Sequence, residues 1–207
     1  MTGARFTLDE FRHRAWQTQG DVPQVETGDF QFNPDLEDLI RQNAQREAAV
    51  LIGVLEGKNG PSVLLTERTE TLRSHSGQVA FPGGRVDATD RTYAETALRE
   101  CEEEVGIGGD HLEIVGEMPI YFSGSGYRIH PVLAVITGDY QLRANELEVA
   151  SIFDVPLSFL MNEANHRKNS RQWQGKTRYF YEMPYQNRHI WGVTAGILRV
   201  MYERLYR

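Results

Sequence analysis

The longest apolar run in the chain is Ala48 to Leu55, eight residues including Gly53. It has the length of a strand and is far too short to span a bilayer. Ala48 to Glu56 and Ser62 to Arg68 read as two strands joined through Gly57-Lys58-Asn59-Gly60-Pro61, a hairpin signal. Upstream, residues 7–18 and 34–49 carry the pattern of short helices. Thr7 can cap the first, with Glu10 three residues on, and Pro34 can open the second after Asn33. Val79-Ala80-Phe81 reads as a short strand stopped by Pro82-Gly83-Gly84, and residues 91–105 are helical in pattern. Leu112 to Phe122 and Tyr127 to Thr137 flank Ser123-Gly124-Ser125-Gly126 as a second hairpin. Val149 to Val155 predicts a strand, Pro156 to Ala164 a short helix, Asn165 to Lys176 a mobile polar loop and Arg178 to Met183 an edge strand. Ile190 to Tyr206 predicts a terminal helix, with Trp191, Thr194, Ala195, Leu198, Met201 and Leu205 on one side. Interleaved strands and helices predict an α/β chain with a mixed sheet. No internal repeat is present.

With 207 residues, 40% hydrophobic and 25% charged, the chain suits one domain with its own core and excludes disordered and fibrous classes. Residues 1–47 read as an N-terminal helical extension packed on a domain of residues 48–207. The net charge of −7 makes the chain a poor general binder of duplex DNA or anionic lipid, so neither nucleic acid nor membrane is expected as a partner. The single cysteine, Cys101, excludes an intrachain disulfide and fits a cytoplasmic location. Met1 to Trp16 lacks the apolar stretch of a signal peptide.

The chemistry concentrates in Arg99-Glu100-Cys101-Glu102-Glu103-Glu104-Val105-Gly106. At about 100° per residue, Glu100, Glu103 and Glu104 share one arc of a helix, while Glu102 points away. Ala94, Leu98, Cys101 and Val105 form a separate apolar stripe, and Gly106 can stop the helix. Like charges at i, i+3 and i+4 repel, and Glu103 and Glu104 also meet the negative end of the helix dipole. A divalent cation removes both penalties, and Arg99 can steady Glu103. Three such glutamates alone describe an ordinary solvated face. The Gly-rich turn Phe81-Pro82-Gly83-Gly84 changes that picture, because Gly83 and Gly84 permit close approach of a ligand. Arg68 and Arg73 precede it as candidate phosphate contacts.

Gly84 to Ile107 resembles the Nudix box, G-x5-E-x7-R-E-U-x-E-E-x-G-U with U apolar. Residues 99–107 match every fixed position of its second half. Asp90 stands where the box has its first Glu, and the step from Asp90 to Arg99 is one residue longer than the pattern. Leu64 to Gly84 is similar to the signature L-L-T-x-R-[SA]-x3-R-x3-G-x3-F-P-G-G of coenzyme A diphosphatases, with Thr69 the one deviation. Gly126-Tyr127 to Pro131-Val132, Glu148-Val149 and Trp191-Gly192-Val193-Thr194-Ala195-Gly196 also resemble bacterial members.

The resemblance implies a Nudix-type α/β/α sandwich with N-terminal helices and a C-terminal helix. It implies Mg²⁺- or Mn²⁺-dependent hydrolysis of the diphosphate bond of coenzyme A or its derivatives, to 3′,5′-ADP and 4′-phosphopantetheine or its acyl form. Glu100, Glu103 and Glu104 are the implied metal ligands, and which glutamate is the general base stays open. Glu148 is a candidate fourth ligand or base, or an ordinary strand-edge carboxylate. Arg68, Arg73, Gly83 and Gly84 are the candidate substrate contacts. Tyr121, Phe122 and Tyr127 can stack an adenine or pack the hairpin. His13, His75, His111, His130, His166 and His189 show no zinc-ligand spacing, although His75 lies inside the second motif. No P-loop is present. Two alternatives are a Nudix enzyme for another nucleoside diphosphate derivative, such as ADP-ribose, and a non-catalytic nucleotide-sensing module. Apolar residues on the C-terminal helix allow a homodimer.

Overall fold

The run at 48–55 is apolar throughout because it lies in the middle of a sheet covered on both faces. Ala48, Ile52 and Val54 point into one core cluster, and Ala49 and Leu51 into another. A computed structural model describes residues 5–19, 26–71, 76–173 and 175–207. In chain order its elements are α1 (Leu8–Gln17), β1 (Thr27–Gly28), α2 (Glu37–Asn43), β2 (Arg46–Gly57), β3 (Gly60–Arg68), β4 (Val79–Ala80) and β5 (Gly83–Arg85). Then come α3 (Tyr93–Val105), β6 (Leu112–Glu117), β7 (Tyr121–Phe122), β8 (Tyr127–Ile136), β9 (Val149–Pro156) and α4 (Leu157–Leu160). The chain closes with β10 (Arg167–Trp173), β11 (Lys176–Tyr185), β12 (Arg188–Trp191) and α5 (Val193–Met201).

The main sheet is mixed. β2 pairs parallel with β8 and antiparallel with β3 and β5, and β9 and β4 lie antiparallel to β3. α3 covers one face, where Ala97, Cys101 and Val105 meet Leu51, Val132 and Ala134. α1 and α5 cover the other, where Phe11, Ala15, Ala195, Leu198 and Met201 meet Ile52 and Leu133. The molecule is therefore an α/β/α sandwich. Among the described residues no helix is long and apolar enough to cross a membrane.

Several predicted boundaries move. The second helix ends at Asn43 rather than 49, because Arg46 to Val54 pair continuously with Tyr127 to Val135. Leu112 to Phe122 is interrupted and forms two strands, β6 and β7, although the turn at 123–126 closes as a hairpin. Pro156 to Ala164 contains only one turn of α-helix, and a 3-10 turn follows at Glu163–Asn165. The segment read as a mobile loop, Asn165 to Lys176, contains β10, whose polar side chains hid a strand held by backbone pairing. β11 is accordingly the centre of a three-stranded sheet, not an edge. The terminal helix begins at Val193, since Arg188 to Trp191 pair with β11. Its apolar residues Ala195, Leu198, Met201 and Leu205 are buried in the chain's own core, so they offer no face for a dimer.

α3 begins at Thr92, whose Oγ1 accepts the Glu95 N–H at 3.1 Å. It stops at Gly106, whose φ of 78° is left-handed and whose N–H donates to Glu102 O. Thr92→Ala is expected to lower stability by about 1 kcal/mol, as loss of an N-cap does, and Thr92→Ser to restore most of it. Urea unfolding curves check this; equal midpoints for wild type and Thr92→Ala would contradict it.

Candidate functional site

Three separate stretches reach one cavity of about 510 Å³. Arg68 comes from the end of β3, Gly83, Gly84 and Arg85 from β5, and Glu100 and Glu103 from α3. Glu148 joins them from the loop before β9. That loop hangs on the C-terminal end of α3: the Arg143 and Asn145 N–H groups donate to Val105 O and Glu104 O, carbonyls a helix end leaves without partners. The lining also carries the apolar side chains of Val79, Phe81, Ile129, Val193 and Ile197 and the rings of Tyr127 and Trp191.

The three glutamates of α3 differ in setting. Glu103 is 56% exposed, Glu100 15% and Glu104 only 2%. Glu104 Oε1 accepts from Arg68 Nη1 at 3.2 Å, and its Oε2 accepts the Gly83 N–H at 3.2 Å. Burial nevertheless pushes its carboxyl up to about 7; Arg68 and the Gly83 N–H oppose that shift, and repulsion from Glu100 and Glu148 adds to it. Burial also raises Glu100, against the pull of Arg99.

Arg99 is the hub that orders this face. Its Nε and Nη2 donate to the two oxygens of Asp90 at 3.1 and 2.9 Å, and Nη2 also reaches Arg85 O. Its Nη1 donates to Glu100 at 2.9 Å and Glu103 at 3.2 Å. Asp90 accepts further from Thr96 Oγ1 and the Asp87 N–H, both at 2.9 Å. The position where the sequence departs from the Nudix box thus fixes the arginine that orients two glutamates. The Arg99 guanidinium holds the Asp90 carboxyl well below the usual carboxylate range.

Gly83 and Gly84 line the cavity, and their lack of a side chain also answers a demand within the chain. A Cβ on Gly84 would lie 2.4 Å from Glu100 Oε1, and one on Gly83 would lie 2.5 Å from Ala49 O. The absent side chains therefore make room for a carboxylate and a neighbouring strand of the chain itself. Tyr121 donates to Asp29 Oδ1 at 2.7 Å and Phe122 packs on Phe30, so both serve packing; Tyr127 alone of the three lines the cavity. Arg73 and His75 lie outside the described residues. Trp191, Val193, Thr194 and Ile197 carry no site role in the sequence reading, although Trp191 to Gly196 already stood out as a family-like string.

Among the described residues no three acidic, His or Cys side chains stand close enough to form a ready-made metal cage. Glu100 and Glu103 turn toward Arg99, and Glu104 toward Arg68 and Gly83. The donor set is all oxygen, partly desolvated and crowded with negative charge, which fits a hard divalent cation.

A family model described as NUDIX domain matches residues 44–174. A protein of Enterobacter sp. (strain 638) named "Uncharacterized Nudix hydrolase NudL" is 41% identical over 155 residues, 75% of this chain and 80% of the relative. Its namesake in Klebsiella pneumoniae subsp. pneumoniae is 39% identical over 155 residues, with the same shares covered. Among solved structures, a C. elegans Ap4A hydrolase binary complex matches at 19% identity and a TM-score of 0.45, over 55% of this chain and 81% of that one.

A depressed carboxyl contributes stability above its unfolded value, 3.8 here, and loses it as pH falls toward the folded value. Asp90→Asn should therefore be clearly less stable than wild type at pH 7, with the gap narrowing below about pH 4. Urea unfolding at pH 7 and pH 3 checks this; a gap that is constant or widens in acid would contradict it.

Proposed function

This chain belongs to the Nudix family, and from that premise we propose that it hydrolyses the diphosphate bond of coenzyme A or its derivatives with Mg²⁺ or Mn²⁺. The family hydrolyses phosphoric anhydrides, including nucleoside diphosphate derivatives, and uses divalent metal ions. The coenzyme A reading is supported most directly by one observation: Arg68, Gly83 and Gly84 of the diphosphatase-like motif line the same cavity as Glu100 and Glu103 of α3. The apolar part of the lining also suits a substrate with a long organic arm on one phosphate.

Glu100, Glu103 and Glu104 would hold the ion, with Glu148 as a fourth ligand or as the base. When bound, a divalent ion neutralises diphosphate charge and acidifies a coordinated water. Water attacks one phosphorus, the anhydride P–O bond breaks, and a glutamate carboxylate takes the proton of the attacking water. Arg68 and Arg73 contact the diphosphate oxygens in this reading, and Arg68 leads directly to Glu104. Arg99 keeps Glu100 and Glu103 oriented, which matters because phosphoryl transfer depends on positioning and charge stabilisation more than on covalent help.

Phosphorus NMR of coenzyme A with the protein and Mg²⁺ should show 3′,5′-ADP and 4′-phosphopantetheine. Glu103→Gln and Glu104→Gln should each lower the rate by at least ~100-fold while circular dichroism stays native. ADP-ribose turning over well above coenzyme A would replace the substrate assignment. Binding without turnover at any metal concentration would favour the sensing module. Full activity in both variants would remove the glutamates from the reaction.

A further inference from the structure

Residues 166–178 contain Arg167, Lys168, Arg171, Lys176 and Arg178 and no acidic residue, in a chain of net charge −7. They form β10 and the start of β11, and the pairing register fixes which of them share a face. Arg171 stands directly opposite Arg178, Asn169 opposite Phe180, and Arg167 opposite Glu182, which in turn faces Trp191 on β12. With alternate residues on one side, Arg171, Arg178, Phe180, Glu182 and Trp191 lie on the same face, Glu182 being paired with His189.

That face borders the cavity. Trp191 lines it. The Phe180 ring sits edge-on to Trp191 at 5.5 Å, and the Arg171 guanidinium lies 5.5 Å from the centre of the Trp191 ring. Arg178 reaches Gly124, where an added Cβ would come 2.0 Å from its Nη2 and 3.1 Å from Asp29. Arg178 and Gly124 line a separate pocket, and Ser125, the next residue, lines the cavity that holds Trp191.

Two arginines directly opposite on one sheet face repel each other, and an anion between or beside them removes that cost. Arg178 already faces the Asp29 carboxylate, so Arg171 is the arginine on which an added anion would depend. Arg171 is exposed and rests on an aromatic face, an arrangement that aligns a guanidinium while leaving its N–H edge free to meet oxygens. The acidic end of the cavity, with Glu100, Glu103 and Glu148, repels a polyanion, so a cationic rim is what would hold one in register.

We infer that Arg171, laid over Trp191 and facing Arg178, forms a second anion subsite at the rim of the cavity, which takes a phosphomonoester carried outside the scissile diphosphate. This inference rests on the diphosphate-hydrolysis reading and adds a specificity determinant to it. The subsite selects substrates bearing a phosphate remote from the bond that breaks. Most of it lies beyond the central motifs: Trp191 and Arg178 fall C-terminal to the matched family segment.

The test compares coenzyme A with dephospho-coenzyme A, which lacks only the remote phosphate, in wild type, Arg171→Gln and Arg171→Lys. Wild type should favour coenzyme A by roughly 10-fold or more in kcat/KM, the range of a charge-assisted contact. Arg171→Gln should lose that preference mainly through KM and stay within about twofold of wild type on dephospho-coenzyme A; Arg171→Lys should keep part of it. Equal losses on both substrates, or a preference that survives in Arg171→Gln, would overturn the subsite. Calorimetry with 3′,5′-ADP, 5′-AMP and inorganic phosphate separates this claim from the catalytic one. If neither coenzyme is hydrolysed but 3′,5′-ADP binds more tightly than 5′-AMP only when Arg171 is present, the subsite stands and the proposed reaction falls. If the two nucleotides bind alike, or inorganic phosphate and 3′,5′-ADP are unaffected by Arg171→Gln, the subsite falls.

Discussion

Glu104 is a carboxylate in a place where charge is expensive. Its side chain is 2% exposed, and Glu100 and Glu148 stand near enough to raise its proton affinity further. Two groups hold it in place, the Arg68 guanidinium and the Gly83 N–H. A buried acid with partial compensation costs stability unless something further offsets the charge. The rest of the site is arranged around that cost. Gly84 leaves space for Glu100, the end of β3 delivers Arg68, and the loop at 143–148 is tied to the end of the same helix. An apolar side chain at position 104 would pack this helix more cheaply. That cost to folding is what supports giving Glu104 a chemical role in the proposed reaction.

Arg99 solves a different problem, which is orientation. Glu103 is mostly exposed and would otherwise sample many rotamers. By binding Asp90 through two nitrogens, Arg99 loses its own freedom once and then presents Nη1 to both Glu100 and Glu103. Asp90 is in turn fixed by Thr96 and the Asp87 N–H. The clamp links the loop before α3, the helix and the β5 strand through Arg85 O, so the geometry of the acidic face follows from the fold.

The sequence made the helix and its acidic face legible because both obey a period of 3.6 and both ends carry local signals, Thr92 and Gly106. The double-sided burial of Ala48 to Leu55 was equally plain as a strand. The β10 strand was not, because Arg167 to Trp173 lacks the apolar alternation that marks strands and is defined by pairing with residues up to 15 positions away. The start of α5 was obscured for a related reason: Ile190 and Trp191 are apolar in either a helix or a strand, and only their partners Met183 and Glu182 decide. Within the site, the acidic residues and Arg68 were found from motif and spacing. The apolar wall of Val193 and Ile197 was not, since a residue lining a cavity and one filling a core have the same chemistry. The glycines stood out in the motif, but their place against the chain's own groups was hidden, as no local rule reveals that a Cβ at 84 would meet Glu100.

The central claim is that the crowded carboxylates of α3 are completed by a divalent cation. Titration of Mn²⁺ into the protein, followed by the loss of the free-ion electron paramagnetic resonance signal, reads this without any substrate or turnover. Saturable binding in the wild type, weakened at least ~10-fold in both Glu103→Gln and Glu104→Gln, is the predicted result. Binding that is equally strong in wild type and both variants, or absent from the folded wild type, would contradict it.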